Sequence, residues 1–366
     1  MYMDEMMQKM INWIENHLVE DFSLKKLGCY MGYSPYYCSF KFHQLAGMTI
    51  KKYISLRKVY LASIDLKESN QKMIDIAYKY RFSSQEAFTR AFKKIYGISP
   101  AAYRKNPQPL QTIVKLNMNG VKGVFSMDIS EKMKIEALQN KVQQQFDQDI
   151  LNVLNGQLMY EEFSKEKLME HSDYVPFNEA MCSNQTSKEI FSPEFIKIRA
   201  AGHYVPINEY ETTVITALEP LFKNKYTCII LWFGNDMFCQ MNMLTLLAYL
   251  EQQGYIGKVY FHMVKEIEQS FDVEETEIEL GGFEDIYNQV MINKQLPTNR
   301  MIPVMYQGIR LYLDYQKKEN ELTSYIKNHL DMPQMDLIRK MFTLFPQYGI
   351  GDLQYIKMIE EIKSGK

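Results

Sequence analysis

The sequence predicts a multidomain protein of three parts: an all-α domain built on a doubled helix-turn-helix, a Rossmann-like α/β domain, and a C-terminal helical subdomain. Three observations carry that expectation. A motif recurs within the first 106 residues at a spacing of 50, so that Phe42, Gly47, Thr49 and Tyr53 align with Phe92, Gly97, Ser99 and Tyr103. Charge is divided unevenly. Residues 1–106 carry 17 Lys and Arg against 9 Asp and Glu (+8), the other 260 carry 25 against 35 (−10), and the two give the formal net charge of −2. Beyond residue 147, continuous apolar stretches alternate with helix-length segments, as strands covered on both faces require. The expected boundaries are 1–106 for the repeat, 107–146 for a linker, β-hairpin and helix, 147–285 for the α/β domain, and 286–366 for the tail.

Each copy of the repeat opens with a short apolar helix, marked by Leu24, Leu27 and Met31 in the first and by Ile74, Ile76 and Ala77 in the second. Each breaks near an aromatic-Ser step, Tyr33-Ser34 or Phe82-Ser83, where a second helix starts. Ser34-Pro35 is an N-cap followed by proline at the first helical position. Gly47 and Gly97 end these helices, as residues tolerant of positive φ do, and Ser99-Pro100 caps one more helix. Between the copies, apolar positions 50, 53, 54, 61 and 64 mark a long connecting helix. Two helix pairs held by one rigid connector suit two successive major grooves on one face of DNA. The basic segment then has a purpose: Arg90, Lys93, Lys94, Arg104 and Lys105 neutralise phosphates beside the second of these helices. Cys38, Phe42, Phe88 and Phe92 fall on the inward stripe and are expected in the core.

The stretch LKKLGCYMGYSPYYCSFKFHQLAGMTIKKYI (24–54), followed by IDIAYKYRFSSQEAFTRAFKKIYGISPAAYR (74–104), resembles the DNA-binding domain of AraC/XylS-type transcriptional regulators. The resemblance spans roughly residues 8–106. By position it implies base-facing Tyr36, Tyr37, Ser39 and Phe40 in the first recognition helix. In the second it implies Gln85, Glu86, Thr89 and Arg90, with Lys93 and Lys94 at phosphates. Gln85 suits adenine, and Thr89 a thymine methyl or a phosphate. Two positions depart from the pattern. Phe40 fills the slot of Arg90 in the other copy, which favours apolar contact with thymine over guanine readout. Arg81 stands where a glycine usually precedes the second recognition helix, so that turn is expected to carry slight strain. Double-stranded DNA and RNA polymerase are the partners this resemblance implies.

NPQPL (106–110) reads as a linker. TIVKLNMNGVKGVFSM (112–127) has the Asn119-Gly120 signature of a two-residue hairpin turn. Residues 130–146 follow as a helix with apolar positions near 135, 138, 142 and 146, read as a core stripe in preference to a dimer seam. Two segments then look alike: DILNVLNGQLMYEEFSKEKLM (149–169) and TCIILWFGNDMFCQMNMLTLLAYLEQQGYIGKVYFHMV (227–264). Each is an apolar strand, a turn with Asn and Gly, and a helix. Tyr174–Phe177 and Val259–Val264 read as further strands. Domains of this type bind ligands at the carboxyl ends of their strands. That selects Asn155 and Gly156, Asn178 and Glu179, then Gly234, Asn235, Asp236 and Gln240 as a site for a small polar effector. At any single position the plainer reading is a helix cap or turn residue. Neither G-x-G-x-x-G nor G-x-x-x-x-G-K-[ST] occurs, and no cofactor is expected.

The stretches YVPFNEAMC, FIKIRAAGHY, LWFGNDMFCQMNMLTLLAYLEQ and FPQYGIGDLQYIK are similar to an uncharacterised family of bacterial α/β domains with a helical tail, which implies domain limits and no chemistry. The tail reads as helices around 300–318, 322–329, 335–344 and 350–361, with the loop Tyr348–Asp352 folding back over the sheet edge. Five Cys form no CxxC pair and six His show no ligand spacing, so neither a metal site nor a disulfide framework is expected. No apolar run reaches the ~18 residues of a membrane span, and the acidic, amphipathic start is unlike a leader. A cytoplasmic location follows as an expectation. Glu179, Asp236 and His203 are candidates for acid/base work, but no nucleophile motif accompanies them, and no enzymatic activity is expected. The expected function is sequence-specific transcriptional regulation, with the acidic portion sensing a polar ligand or assembling subunits, a homodimer among them. A catalytic α/β domain and a pure interaction module are the alternatives.

Overall fold

The computed structural model describes residues 2–118, 129–147, 149–169, 172–223, 225–267 and 270–365. The Asn119-Gly120 turn of the expected hairpin lies outside the described residues, and the segment before it, 107–117, runs without regular secondary structure. The chain forms two compact units, one of residues 1–124 with 314–366 and the other of residues 125–313.

The first unit begins with α1 (Tyr2–Asn16), which buries Met7, Met10, Ile11 and Ile14 at helical spacing. Then come α2 (Leu24–Met31), α3 (Pro35–Ala46) and the 19-residue connector α4 (Ile50–Glu68). The second copy is α5 (Met73–Lys79) and α6 (Gln85–Tyr96), followed by α7 (Pro100–Lys105). Buried positions fall around much of α4 because it packs against both copies. Val59, Ala62 and Leu66 of α4 join Ile76, Phe88, Phe92 and Tyr103 in the core of the second copy. At the other end, Arg57 of α4 donates to both Glu15 oxygens at 2.8 and 2.9 Å and Tyr53 adds a bond of 2.7 Å, tying α1 to the connector.

The second unit starts with α8 (Ile129–Phe146), whose Ile135 and Val142 pack on a sheet face with Ile150, Ile230 and Trp232. Its apolar stripe is core. The sheet comprises β1 (Ile150–Leu154), β2 (Asp173–Pro176), β3 (Cys228–Gly234), β4 (Lys258–Ile267) and β5 (Ser270–Ile278), in the order β2-β1-β3-β4-β5. Four strands run parallel, with Val153 opposite both Val175 and Leu231, and β5 closes one edge antiparallel to β4. The alternation of apolar strands with helices foretold the parallel part. The edge strand SFDVEETEI carries Asp272, Glu274, Glu275 and Glu277 and no continuous apolar run, so sequence reading passed over it.

Between strands lie α9 (Gln157–Lys165), α10 (Pro193–His203), α11 (Ile207–Tyr210), α12 (Glu219–Phe222) and α13 (Met237–Gln252). Helix α13 is buried almost along its whole length. The unit ends through α14 (Phe283–Tyr287) and α15 (Pro303–Tyr315), and the chain passes back into the first unit within α15.

The tail is α16 (Glu321–Lys327), α17 (Gln334–Leu344) and α18 (Asp352–Lys363). It differs from expectation in its partner. The loop Tyr348–Asp352, expected to fold back over the sheet edge, belongs to the first unit. There Tyr348 packs beside Tyr315 and Phe345, and the Gln347 carbonyl accepts from Gln111 Nε2 at 3.1 Å. Residues 286–313, read as tail from the sequence, fold with the sheet.

Candidate nucleic-acid interface and the polar edge of the sheet

Each helix-turn-helix is set by one turn and one cap. In the first, Gly32 takes φ +74° at the end of α2 and the Tyr33 amide bonds back to Gly28 O at 3.0 Å. Ser34 Oγ then accepts from the Tyr37 amide at 3.1 Å and Pro35 occupies the first turn of α3. In the second, Arg81 sits at φ +57°, the Phe82 amide bonds to Ala77 O at 2.9 Å, and Ser84 Oγ accepts from the Ala87 amide at 3.1 Å. The glycine-for-arginine exchange therefore leaves the left-handed backbone in place. A non-glycine residue there is strained; the Arg81 guanidinium offsets this by donating to Val19 O at 2.9 Å. The repeat spacing is 49 before the turn (Gly32 to Arg81) and 50 after it (Pro35 to Gln85), because the second turn is one residue longer. The cap is thus Ser84, and the Ser83 step read from the sequence lies inside the turn.

The residues selected for DNA contact lie on the outer faces of α3 and α6. Tyr36 is 80% exposed and Phe40 51%, and their rings stack at 6.4 Å with an interplanar angle of 10°. Tyr37 and Ser39 are half-buried, and Tyr37 packs on Tyr33 at 4.8 Å. The cation nearest this aromatic face is Lys41, whose Nζ stands 5.8 Å from the Phe40 centroid and 5.9 Å from that of Tyr37. On α6, Gln85, Glu86, Arg90, Lys93 and Lys94 are exposed and Thr89 is half-buried. A hydrogen bond with Ser84, its own amide and the nearby Arg90 hold the Glu86 carboxyl below its usual range. Cys38, Phe42, Phe88 and Phe92 are buried, as their stripe required. The two helices thus differ in chemistry: α3 offers aromatic rings, α6 an amide and cations.

At the carboxyl edge of the sheet, most of the selected residues form one neighbourhood. Asn155 Nδ2 reaches Cys239 Sγ at 3.0 Å, Asp236 Oδ1 accepts from the Cys239 amide at 2.8 Å as the N-cap of α13, and Gln240 Nε2 donates to Gly234 O at 2.7 Å. Asn178 Nδ2 donates to Gln157 Oε1 at 3.3 Å and to Thr213 O at 3.2 Å, and Gly156 begins α9 at φ +83°. Among the described residues, Asn155 Oδ1, Asn178 Oδ1 and Gln240 Oε1 are buried atoms without a hydrogen-bond partner. Burial pushes the Asp236 carboxyl up, against the bonds it accepts, and pushes the Cys182 thiol to about 12 and that of Cys239 well above its usual range. Neither thiol is a nucleophile at neutral pH.

Glu179 has a different role. It is buried, and its two oxygens receive Arg199 Nε at 3.0 Å and Nη2 at 2.6 Å, His203 Nε2 at 2.7 Å, and the Tyr210 hydroxyl. Burial opposes its charge, but Arg199 and the bonds from His203 and Arg199 outweigh that and hold the carboxyl well below the usual range. Arg199 further donates to the carbonyls of Ser183, Gln185 and Ala180. This cluster is a structural knot that ties the loop after β2 to α10. Sequence reading missed Arg199, which shares the otherwise apolar run FIKIRAAG with Lys197 and is not set apart from it by local pattern.

A family model described as a helix-turn-helix domain matches residues 28–106. YbfP, an uncharacterised HTH-type transcriptional regulator of Bacillus subtilis, is 42% identical over 104 residues, covering 28% of this chain and 35% of that protein. The HTH-type transcriptional activator AarP of Providencia stuartii is 34% identical over 103 residues, covering 28% of this chain and 76% of that protein. The multiple antibiotic resistance protein MarA of Salmonella typhimurium is 35% identical over 94 residues, covering 26% of this chain and 74% of that protein. The chain spans only about a third of the length of YbfP. Aligned with AarP and MarA over most of their length, it belongs to the AraC-type family of helix-turn-helix transcriptional regulators.

Proposed function

We propose that this protein binds double-stranded DNA sequence-specifically through α3 and α6 and thereby regulates transcription, with RNA polymerase as its protein partner. The observation that carries the reading is the pair of capped helices with exposed polar and aromatic faces on one connector. A single chain then spans two successive major grooves without a second copy. The chemical difference between the helices supports unequal half-sites. Tyr36 and Phe40 suit thymine methyls, while Gln85 suits adenine and Arg90 suits guanine or phosphate. Salt-dependent binding to promoter fragments tests this. Arg90→Ala is expected to weaken binding and reduce the slope of log affinity against log salt by about 1. Equal affinity and slope for the variant would remove Arg90 from the interface.

The α/β unit is read as the sensor of a small polar ligand. Three buried acceptors without partners, Asn155 Oδ1, Asn178 Oδ1 and Gln240 Oε1, favour that over a plain core, since such atoms are costly to leave unmatched. They call for a ligand rich in N–H or O–H donors. Glu179 is left out of this set, because its oxygens are engaged by Arg199, His203 and Tyr210. Regulation follows if the ligand prefers one of two arrangements of the protein, shifting the DNA-competent population. Thermal shifts of the full chain with a panel of small amines, amides and polyols check it. A hit should be lost in Asn155→Leu and Asn178→Leu; no shift across the panel at millimolar concentration counts against sensing at this edge.

A further inference from the structure

We infer that the tail, α16 to α18, is a working part of the DNA-reading unit, and that Phe345 is a positioning residue for the first recognition helix. The inference rests on the DNA-binding reading above. The tail residues fold with α1–α7, and their contacts converge where α3 ends and α4 begins. Gly47 terminates α3 at φ +68°, and a methyl group added there would lie 2.6 Å from Phe345 Cζ and 3.3 Å from Tyr325 Cδ2. The Phe345 ring therefore lies against the backbone of the α3–α4 junction, a seat that only glycine leaves open. Tyr325 packs edge-on against Phe345 at 5.4 Å and stacks on His329 at 4.1 Å, so the ring is itself held in place. Two residues into α4, Lys52 Nζ pairs with Glu321 Oε2 of α16 at 2.9 Å. A further pair joins Lys340 of α17 to Asp4 of α1, and Gln111 binds the Gln347 carbonyl.

The two copies are thus supported differently. The core of the second is made within α4–α7 and Leu110. The junction behind the first recognition helix is closed by a segment almost 300 residues further along the chain (345 − 47 = 298). Since the ring of Phe345 rests on the residue that ends α3, loss of the ring frees the C-terminal end of that helix to tilt. The angle at which Tyr36 and Phe40 meet base edges then varies, while α6 keeps its own support. Loosening of the tail should blur reading by α3 and spare reading by α6.

The test uses the full chain. A DNA sequence is selected from a random pool with the wild type, and Gln85→Ala identifies the half that α6 contacts. Affinity is then measured for single base-pair changes in each half, with Phe345→Ala and Phe345→Leu. Hydrogen exchange without DNA is followed in segments 35–56 and 85–96. In the alanine variant, discrimination in the α3 half should fall from on the order of tenfold per base pair toward none, with faster exchange in 35–56. The α6 half and 85–96 should stay unchanged, and leucine should restore most of the effect. Glu321→Gln, a milder second variant that removes only the charge pairing with Lys52, should move the same readouts in the same direction. Unchanged discrimination in both halves overturns the inference, as does equal loss in both. A wild type that selects no sequence overturns the DNA reading itself, a result distinct from either.

Discussion

At the scale of single residues, polar atoms divide into those matched inside the protein and those left for a partner. Glu179 belongs to the first kind, with five donors on one carboxylate: Arg199 Nε and Nη2, His203 Nε2, the Tyr210 hydroxyl and the Ala180 amide. Replacing it by Gln should destabilise the α/β unit by about 3–5 kcal/mol, because Arg199 would stay buried without its counter-charge; chemical denaturation measures this. A carboxyl held below its usual range stabilises the fold above its unfolded pKa of about 4.3 and loses that contribution as pH falls toward the folded value. Glu275, held to about 2 chiefly by its hydrogen bond with His262, acts in the same sense. Stability should therefore fall steeply below about pH 4.5, and Glu179→Gln should flatten that slope; an unaltered slope would mean the carboxylate is not what acid attacks. Gln85 belongs to the second kind. Gln85→Ala should relax preference at one base position, read from a selected-sequence logo, and a logo identical to wild type would refute its role.

At the scale of elements, the caps and the helical stripes were legible from the chain alone. Ser34-Pro35, Ser99-Pro100 and the closing glycines place helix ends because each satisfies a backbone group locally, within four residues of sequence. The second turn was located only to within a residue, since Phe82-Ser83-Ser84 offers two hydroxyls and only the turn geometry chooses Ser84 as the cap. Ser84→Ala should cost about 1 kcal/mol and Ser83→Ala a few tenths, as differences in thermal unfolding; the reverse order would restore the sequence reading. The parallel strands were also legible: β3 is apolar throughout, and β1 and β4 carry apolar runs interrupted by Asn152 and His262. Edge strand β5 was not, since a half-exposed strand with four Glu and Asp has no continuous apolar run. The polar edge was legible as a place but not as a set of roles: nothing local distinguishes Glu179, locked by a distant arginine, from Asn178, one residue before it.

At the scale of the whole molecule, the DNA-binding unit is discontinuous in sequence, with the α/β unit inserted between residues 124 and 314. Local patterns cannot reveal this, because the contact of Gly47 with Phe345 leaves no periodicity or spacing behind. A fragment of residues 1–118 should be less stable than the same residues joined by a flexible linker to 314–366. A difference of several degrees in melting temperature is expected, given that Phe345, Tyr325 and their neighbours exchange burial for water; equal melting points would show the tail to be dispensable. The seat of Phe345 on Gly47 also has a meaning in time. At ~5–20 residues per second, the ribosome adds Phe345 some 15–60 s after Gly47. Once Leu110 has been added, and for the roughly 12–47 s left before Phe345, the nascent chain can hold a finished second reader of DNA beside an unfinished first one. A product interrupted before Phe345 would keep this half-made state, so synthesis of the tail and competence to read a full operator become one event.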